Sequence, residues 1–141
     1  MAIGAARRFV RQIQIVMLVT FALFAVAGEL FAGKIAGDPA NTLFHALSLI
    51  SISLVGATMV VRRTLVLPSE AALQVNSEDR AALTRWSAGH FILFGLCESL
   101  GLFGLVLRLA GFPLVNVGGF YLGGFLLLLL YSPRAPQQQS R

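Results

Sequence analysis

Glu98 stands near the middle of HFILFGLCESLGLFGLVLRLAG, residues 90–111, a predominantly apolar run long enough to cross a membrane. An ionised side chain at the centre of a membrane helix costs roughly 2.5–3.5 kcal/mol on insertion scales. Glu98 must therefore face protein or water, or hold a proton. An acid so placed can bind and release a proton or cation, or it can stay neutral and hydrogen-bond a neighbouring helix. At about 100° per residue, Phe94, Gly101, Leu102 and Leu105 share its face. Cys97, Gly101 and Gly104 form a groove of small residues beside it. Such residues let a second helix come close, so Glu98 is expected at a helix contact and not in open lipid.

Three other groups can titrate within apolar surroundings. Glu29 lies near the outer end of an earlier apolar stretch, close to Lys34 and Asp38, on a face with Ala22, Ala25 and Ala32. It can reach Lys34 or interfacial water, or act as an outer relay for protons. Asn41, His45, Ser48, Ser51, Thr58 and Arg62 form a polar stripe at helical spacing. A serine in lipid can satisfy itself on a carbonyl one turn back, which makes the stripe a packing surface. It can also line a wet path from His45 towards Glu98. His90 precedes Glu98 by two turns. Histidine is the side chain that titrates nearest neutrality, so His45 and His90 join Glu98 and Glu29 as ion-binding candidates.

Other chemistries find little support. Two histidines on different helices make no metal motif. Cys97 is the only cysteine, so neither an intrachain disulfide nor a cysteine-built metal site is available. No nucleophile–base pattern, phosphate loop or dinucleotide fingerprint stands out, and the reading is of a non-enzyme without cofactor or metal. Basic residues do not interleave with aromatics, which sets nucleic acid aside. Gly119 and Gly123 have the G-x-x-x-G spacing of closely packed membrane helices.

The elements that position these groups follow from composition. Hydrophobic residues make up 57% of the 141-residue chain and charged residues 12%, about half the charge of a soluble domain. Together with a mean hydropathy of +0.80, this describes an all-α membrane protein. A span needs about 20 apolar residues. Four stretches qualify, at about 13–32, 42–61, 89–109 and 113–131, and residues 1–133 form one transmembrane domain. Arg7, Arg8, Arg11, Arg62, Arg63, Arg80, Arg85, Arg134 and Arg141 fall on one side, and only Lys34 and Arg108 on the other. This positive-inside bias places both termini in the cytoplasm of an inner-membrane protein. Trp86 and Tyr131 then sit at the interface, where amphipathic rings are favoured.

The N-terminus has a second reading, as a secretory signal ending in Ala25-Val26-Ala27. Gln12 and Gln14 interrupt its apolar core, and the apolar run continues through Leu30, Phe31 and Ala32, which favours an uncleaved span. Residues 64–87 form the one sizeable polar connection. Pro68, Ser69 and Glu70 signal a short interfacial helix. Ser77, Glu78 and Asp79 signal a longer one, continuous from Glu78 to Leu109 and reaching two to three turns into the cytoplasm. Residues 134–141 have the composition of a disordered tail. FALFAVAGEL (21–30) and FILFGLCESL (91–100) are alike, a match that apolar helices also produce by chance.

FGLCESLGLFGLVLRL resembles the second helix of the rotary ATPase proteolipid, the c subunit of ATP synthases. The acid position is Glu98, followed by Gly101, Leu102, Phe103, Gly104, Leu105 and Val106, and the preceding span ends in VVRR. The resemblance spans residues 45–111. It implies a helical hairpin whose acid takes up and releases a transported H⁺ or Na⁺. The partner helix differs in carrying serines and a single Gly56 where a glycine ladder belongs, and the loop is longer. Two functions are thus expected. One is an accessory or packing subunit, held to other membrane subunits or to its own copies by glycine faces. The other is a proton- or cation-handling protein working through Glu98.

Overall fold

The computed structural model describes residues 3–32 and 41–133. Lys34, Asp38 and the tail at 134–141 lie outside them. The described chain is all-helical. Helix α1 is Ile3–Phe31 and α2 is Asn41–Val61. A π-helical turn, Arg62–Val66, joins α2 to α3, Leu67–Val75. Helices α4, Arg80–Leu109, and α5, Leu114–Leu130, complete the order.

The connection after the second span differs from expectation. Instead of a polar loop with a separate interfacial helix, α2, the π turn and α3 run on as one rod, Asn41–Val75. Pro68 explains the π turn. Proline within an α-helix clashes with the carbonyl four residues back. The wider π turn immediately before it, with the Leu67 N–H bonded to the Arg62 carbonyl, gives the ring room. Ser69 does not cap a new helix. Its hydroxyl donates to the Leu65 carbonyl at 2.6 Å.

Helix α4 begins at Arg80, two residues later than its sequence signal. Asp79 caps it, its Oδ1 accepting from Ala81 N at 2.9 Å and Ala82 N at 3.1 Å. At the far end Gly111 turns the chain with φ 94°, a conformation that glycine adopts without strain. Pro113 then leads into α5.

Three of the helical stretches are long and apolar enough to cross a membrane: residues 4–31, the 41–75 rod and α4. Helix α5 is apolar apart from Asn116 and the Tyr121 hydroxyl but has 17 residues, about 26 Å at 1.5 Å each, a little under the roughly 30 Å hydrocarbon core.

Helix α4 is the hub. Half of its apolar stretch is buried, against 17% for α1 and 11% for the α2–α3 rod. Alignment of the contacts gives the topology. Phe9 meets Phe91, Phe21 meets Gly101 and Glu29 meets Arg108, so α1 runs parallel to α4. Phe44 meets Phe112, Val66 meets Gly89 and Glu70 meets Trp86, so the rod runs antiparallel to it. Tyr121 against Gly104 and Gly124 against Cys97 make α5 antiparallel as well. The result is an up-down-up-down bundle with the start of α1 and the end of α5 at one end. Arg7, Arg8, Arg11, Arg62, Arg63, Arg80 and Arg85 gather at that basic end, while Arg108 stands at the other.

Candidate functional site

Glu98 is half-buried on α4, and its Oε2 is buried without a hydrogen-bond partner. Phe91, Phe94, Glu98 and Gly101 follow the alternating three- and four-residue spacing of one helix face. The flanking positions of that face touch α1. Phe91 packs edge-on to Phe9 with centroids 6.0 Å apart. A β-carbon on Gly101 would lie 2.6 Å from Cε2 of Phe21. Glu98 is therefore on the α1 flank of α4, between two aromatic contacts. An ionised carboxylate with an unpartnered buried oxygen is expensive, whereas a neutral carboxyl needs only one acceptor and one donor.

The other acid and the histidines stand apart from it. Glu29 bonds to Arg108, from Nε to Oε1 at 2.8 Å and from Nη2 to Oε2 at 2.9 Å. Arg108 is ten residues beyond Glu98, about 15 Å along the helix. His45 is exposed on α2 against Phe44, at the end of the bundle away from the arginine-rich one. His90 is buried about 12 Å below Glu98 along α4. The four candidates thus form no continuous chain of contacts. The three hydroxyls of the α2 polar stripe are satisfied within their own helix. Ser48 donates to the Phe44 carbonyl and Ser51 to the Leu47 carbonyl, both at 2.7 Å.

The small residues divide into two sets. Cys97 is fully buried, and Gly101 and Gly124 form a notch for the Phe21 ring. A β-carbon at Gly104 would meet the Tyr121 ring at 2.9 Å. Gly119 and Gly123, with Gly118, have nothing of the described chain within 4 Å of where a β-carbon would stand. Their faces are open.

Two arrangements had no strong sequence signal. Gln14, buried on α1, donates from Nε2 to the Leu128 carbonyl at 2.8 Å and accepts from Ser132 Oγ at 3.2 Å. Its spacing from Ala6 and Val10 on the packed face of α1 was the available clue. The second is a cleft of about 110 Å³ at the arginine-rich end, lined by Arg62, Glu70, His90, Tyr131 and Ser132 with apolar Val66, Leu93 and Leu130. Trp86 stands behind it, donating from Nε1 to Glu70 at 3.4 Å, with its ring tilted 51° to that of His90 and their centroids 4.5 Å apart. The Tyr131 hydroxyl is 3.0 Å from Thr58 Oγ1, and the Arg62 guanidinium lies 5.9 Å from its ring centroid. Among the described residues no group of three His, Cys, Asp or Glu is placed to hold a metal ion.

Comparison with known protein families, curated proteins and solved structures finds no match.

Proposed function

We propose that the chain is a multi-pass inner-membrane protein with both termini cytoplasmic, serving as a non-catalytic accessory subunit of a larger membrane assembly. The observation that carries this reading is the open glycine face of α5. A β-carbon at Gly119 or Gly123 would have nothing of the neighbouring helices within 4 Å, and Leu122 and Leu126 beside them are exposed. Glycines at this spacing allow close backbone approach between membrane helices, and α5 uses its other face, through Gly124 and Val117, for its own bundle. Gly119→Leu and Gly123→Leu are expected to release the protein from its complex on a native gel. Unchanged migration counts against this face as the docking surface.

One observation favours a second reading. The unpartnered Oε2 of Glu98 suits a carboxyl that exchanges a proton or cation within the bilayer, as the resemblance to the rotary ATPase proteolipid implies. Glu98→Gln should abolish proton or cation flux in liposomes while the protein still inserts. Wild-type flux in that variant discards the reading.

A further inference from the structure

We propose that the cleft between the π turn, α3, α4 and the end of α5 binds a zwitterionic phosphate–amine group, with Arg62 on the phosphate and Glu70 on the ammonium. The chemistry is that of a phosphatidylethanolamine headgroup or of free phosphoethanolamine. The inference rests on the membrane placement proposed above.

Opposite charges line this cleft and form no direct ion pair with each other. Both Arg62 and Glu70 line it, and the ion pair found among the described residues is elsewhere, between Glu29 and Arg108. A simple anion would meet Arg62 but be opposed by Glu70, and a simple cation the reverse. A ligand carrying both signs satisfies both. Guanidinium is suited to phosphate because its planar fork donates two parallel bonds. Glu70 accepts one long bond from Trp86 and retains capacity for an ammonium group.

The backbone is shaped to make this pairing. Eight residues of regular α-helix would set Arg62 and Glu70 about 80° apart around the axis. A π turn rotates less per residue, and the one at Arg62–Val66 takes back much of that angle, so both side chains face one cleft. π-Helical turns often occur at functional sites.

His90 is the third member. It is 3% exposed, its Nδ1 lies 2.9 Å from the Trp86 carbonyl oxygen, and the residue lines the cleft. The cleft's size suits a compact headgroup and excludes an acyl chain. Leu93 and Leu130 form its apolar wall, and exposed Leu130 continues towards the hydrocarbon. Trp86 and Tyr131 are buried, at 4% and 6% exposure, so their rings face the bundle and back the cleft instead of meeting lipid.

The test is native mass spectrometry of the full chain in detergent with short-chain phosphatidylethanolamine, phosphatidylglycerol and free phosphoethanolamine. Phosphatidylethanolamine is expected to be retained in preference to phosphatidylglycerol. Glu70→Gln should lower its affinity about tenfold and erase the preference. Arg62→Gln should weaken both lipids, and Arg63→Gln should change neither. Equal retention of the two lipids by the wild type, or an intact preference in Glu70→Gln, overturns the proposal. Displacement of bound lipid by the free compound supports the site and identifies a soluble source, whereas retention despite it identifies the lipid. Fractionation separates the two readings. If the chain partitions with soluble protein, the membrane placement fails and the free compound alone decides. Saturable binding lost in Arg62→Gln then supports the cleft, and no binding overturns it.

Discussion

Glu29 and Arg108 face each other across the α1–α4 interface in a two-pronged pairing, at 2.8 and 2.9 Å. The remaining arm of the guanidinium donates from Nη1 to the Phe112 carbonyl at 3.0 Å. One arginine thus joins the end of α1, the end of α4 and the turn into α5. Both charged groups retain solvent access, with side-chain exposures of 19% for Arg108 and 48% for Glu29, so their value is geometric as much as energetic. Tyr121 lies beneath them, its hydroxyl 2.8 Å from where a β-carbon on Gly28 would stand.

The two partners should therefore respond unequally to mutation. Arg108→Gln loses the pair and the bond to the turn, whereas Glu29→Gln loses the charge and keeps Arg108 on Phe112. Thermal unfolding in detergent is expected to show the larger fall in Tm for Arg108→Gln. The exchanged pair Glu29→Arg with Arg108→Glu should recover part of the loss of either single exchange. Equal losses for the two glutamine variants would contradict the bridging role of Arg108.

Phe21 provides a second test, of packing. Its ring fills the notch made by Gly101 and Gly124, with β-carbon positions 2.6 and 2.7 Å from ring atoms. A side chain at either glycine must displace the ring or separate the helices. Overpacking of this kind costs about 1–3 kcal/mol, which sets the expectation for Gly101→Val and Gly124→Val. Phe21→Leu should relieve part of the cost in a double-mutant cycle, because residues in direct contact are coupled. Strict additivity would place the strain elsewhere.

The notch also shows what was legible in the sequence. Helices were readable because apolar runs of this length leave few alternatives, and Cys97, Gly101 and Gly104 stood out as a face of small residues. The occupant of that face was not readable, because Phe21 is one of 11 phenylalanines and pattern alone does not pair helices. Glu98 was conspicuous because charge is rare in such runs. The cleft was not, because Arg62 and Glu70 share a face only through the π turn that Pro68 requires. Its sequence signature, a proline after an arginine pair, reads first as a helix boundary. Likewise the pairing of Glu29 with Arg108 had no sequence signal, because the two lie on different helices, and Lys34, the neighbour that sequence offered, lies outside the described residues.

Gln14 leads to a third prediction. The last carbonyls of a helix lack intrahelical donors. At the end of α5, Tyr131 N bonds to Leu127 and Ser132 N to Leu129, and the Leu128 carbonyl takes its bond from Gln14 on α1. Gln14 thus caps a helix that is distant in sequence. Gln14→Leu keeps the bulk and removes the donor, leaving a buried acceptor unsatisfied at a cost of about 1–3 kcal/mol. Urea or thermal unfolding of the reconstituted protein checks this. Wild-type stability in Gln14→Leu would mean that the carbonyl finds another donor.

Cys97 reports on the centre of the bundle without any engineered probe. It is the only cysteine, fully buried, and its carbonyl oxygen lies 2.9 Å from where a β-carbon on Gly124 would stand. A maleimide should label the folded protein slowly and the denatured protein to completion, since a buried thiol is shielded from reagent. Gly124→Val pushes α5 off this carbonyl and should raise the labelling rate under native conditions. Gly119→Val, on the open face of the same helix, should leave the rate unchanged. The pair of variants separates loosening of the α4–α5 contact from any general effect of a larger side chain in α5. Rapid labelling of the folded wild type would show that the bundle opens around Cys97 far more readily than its close contacts with Phe21 and Gly124 imply.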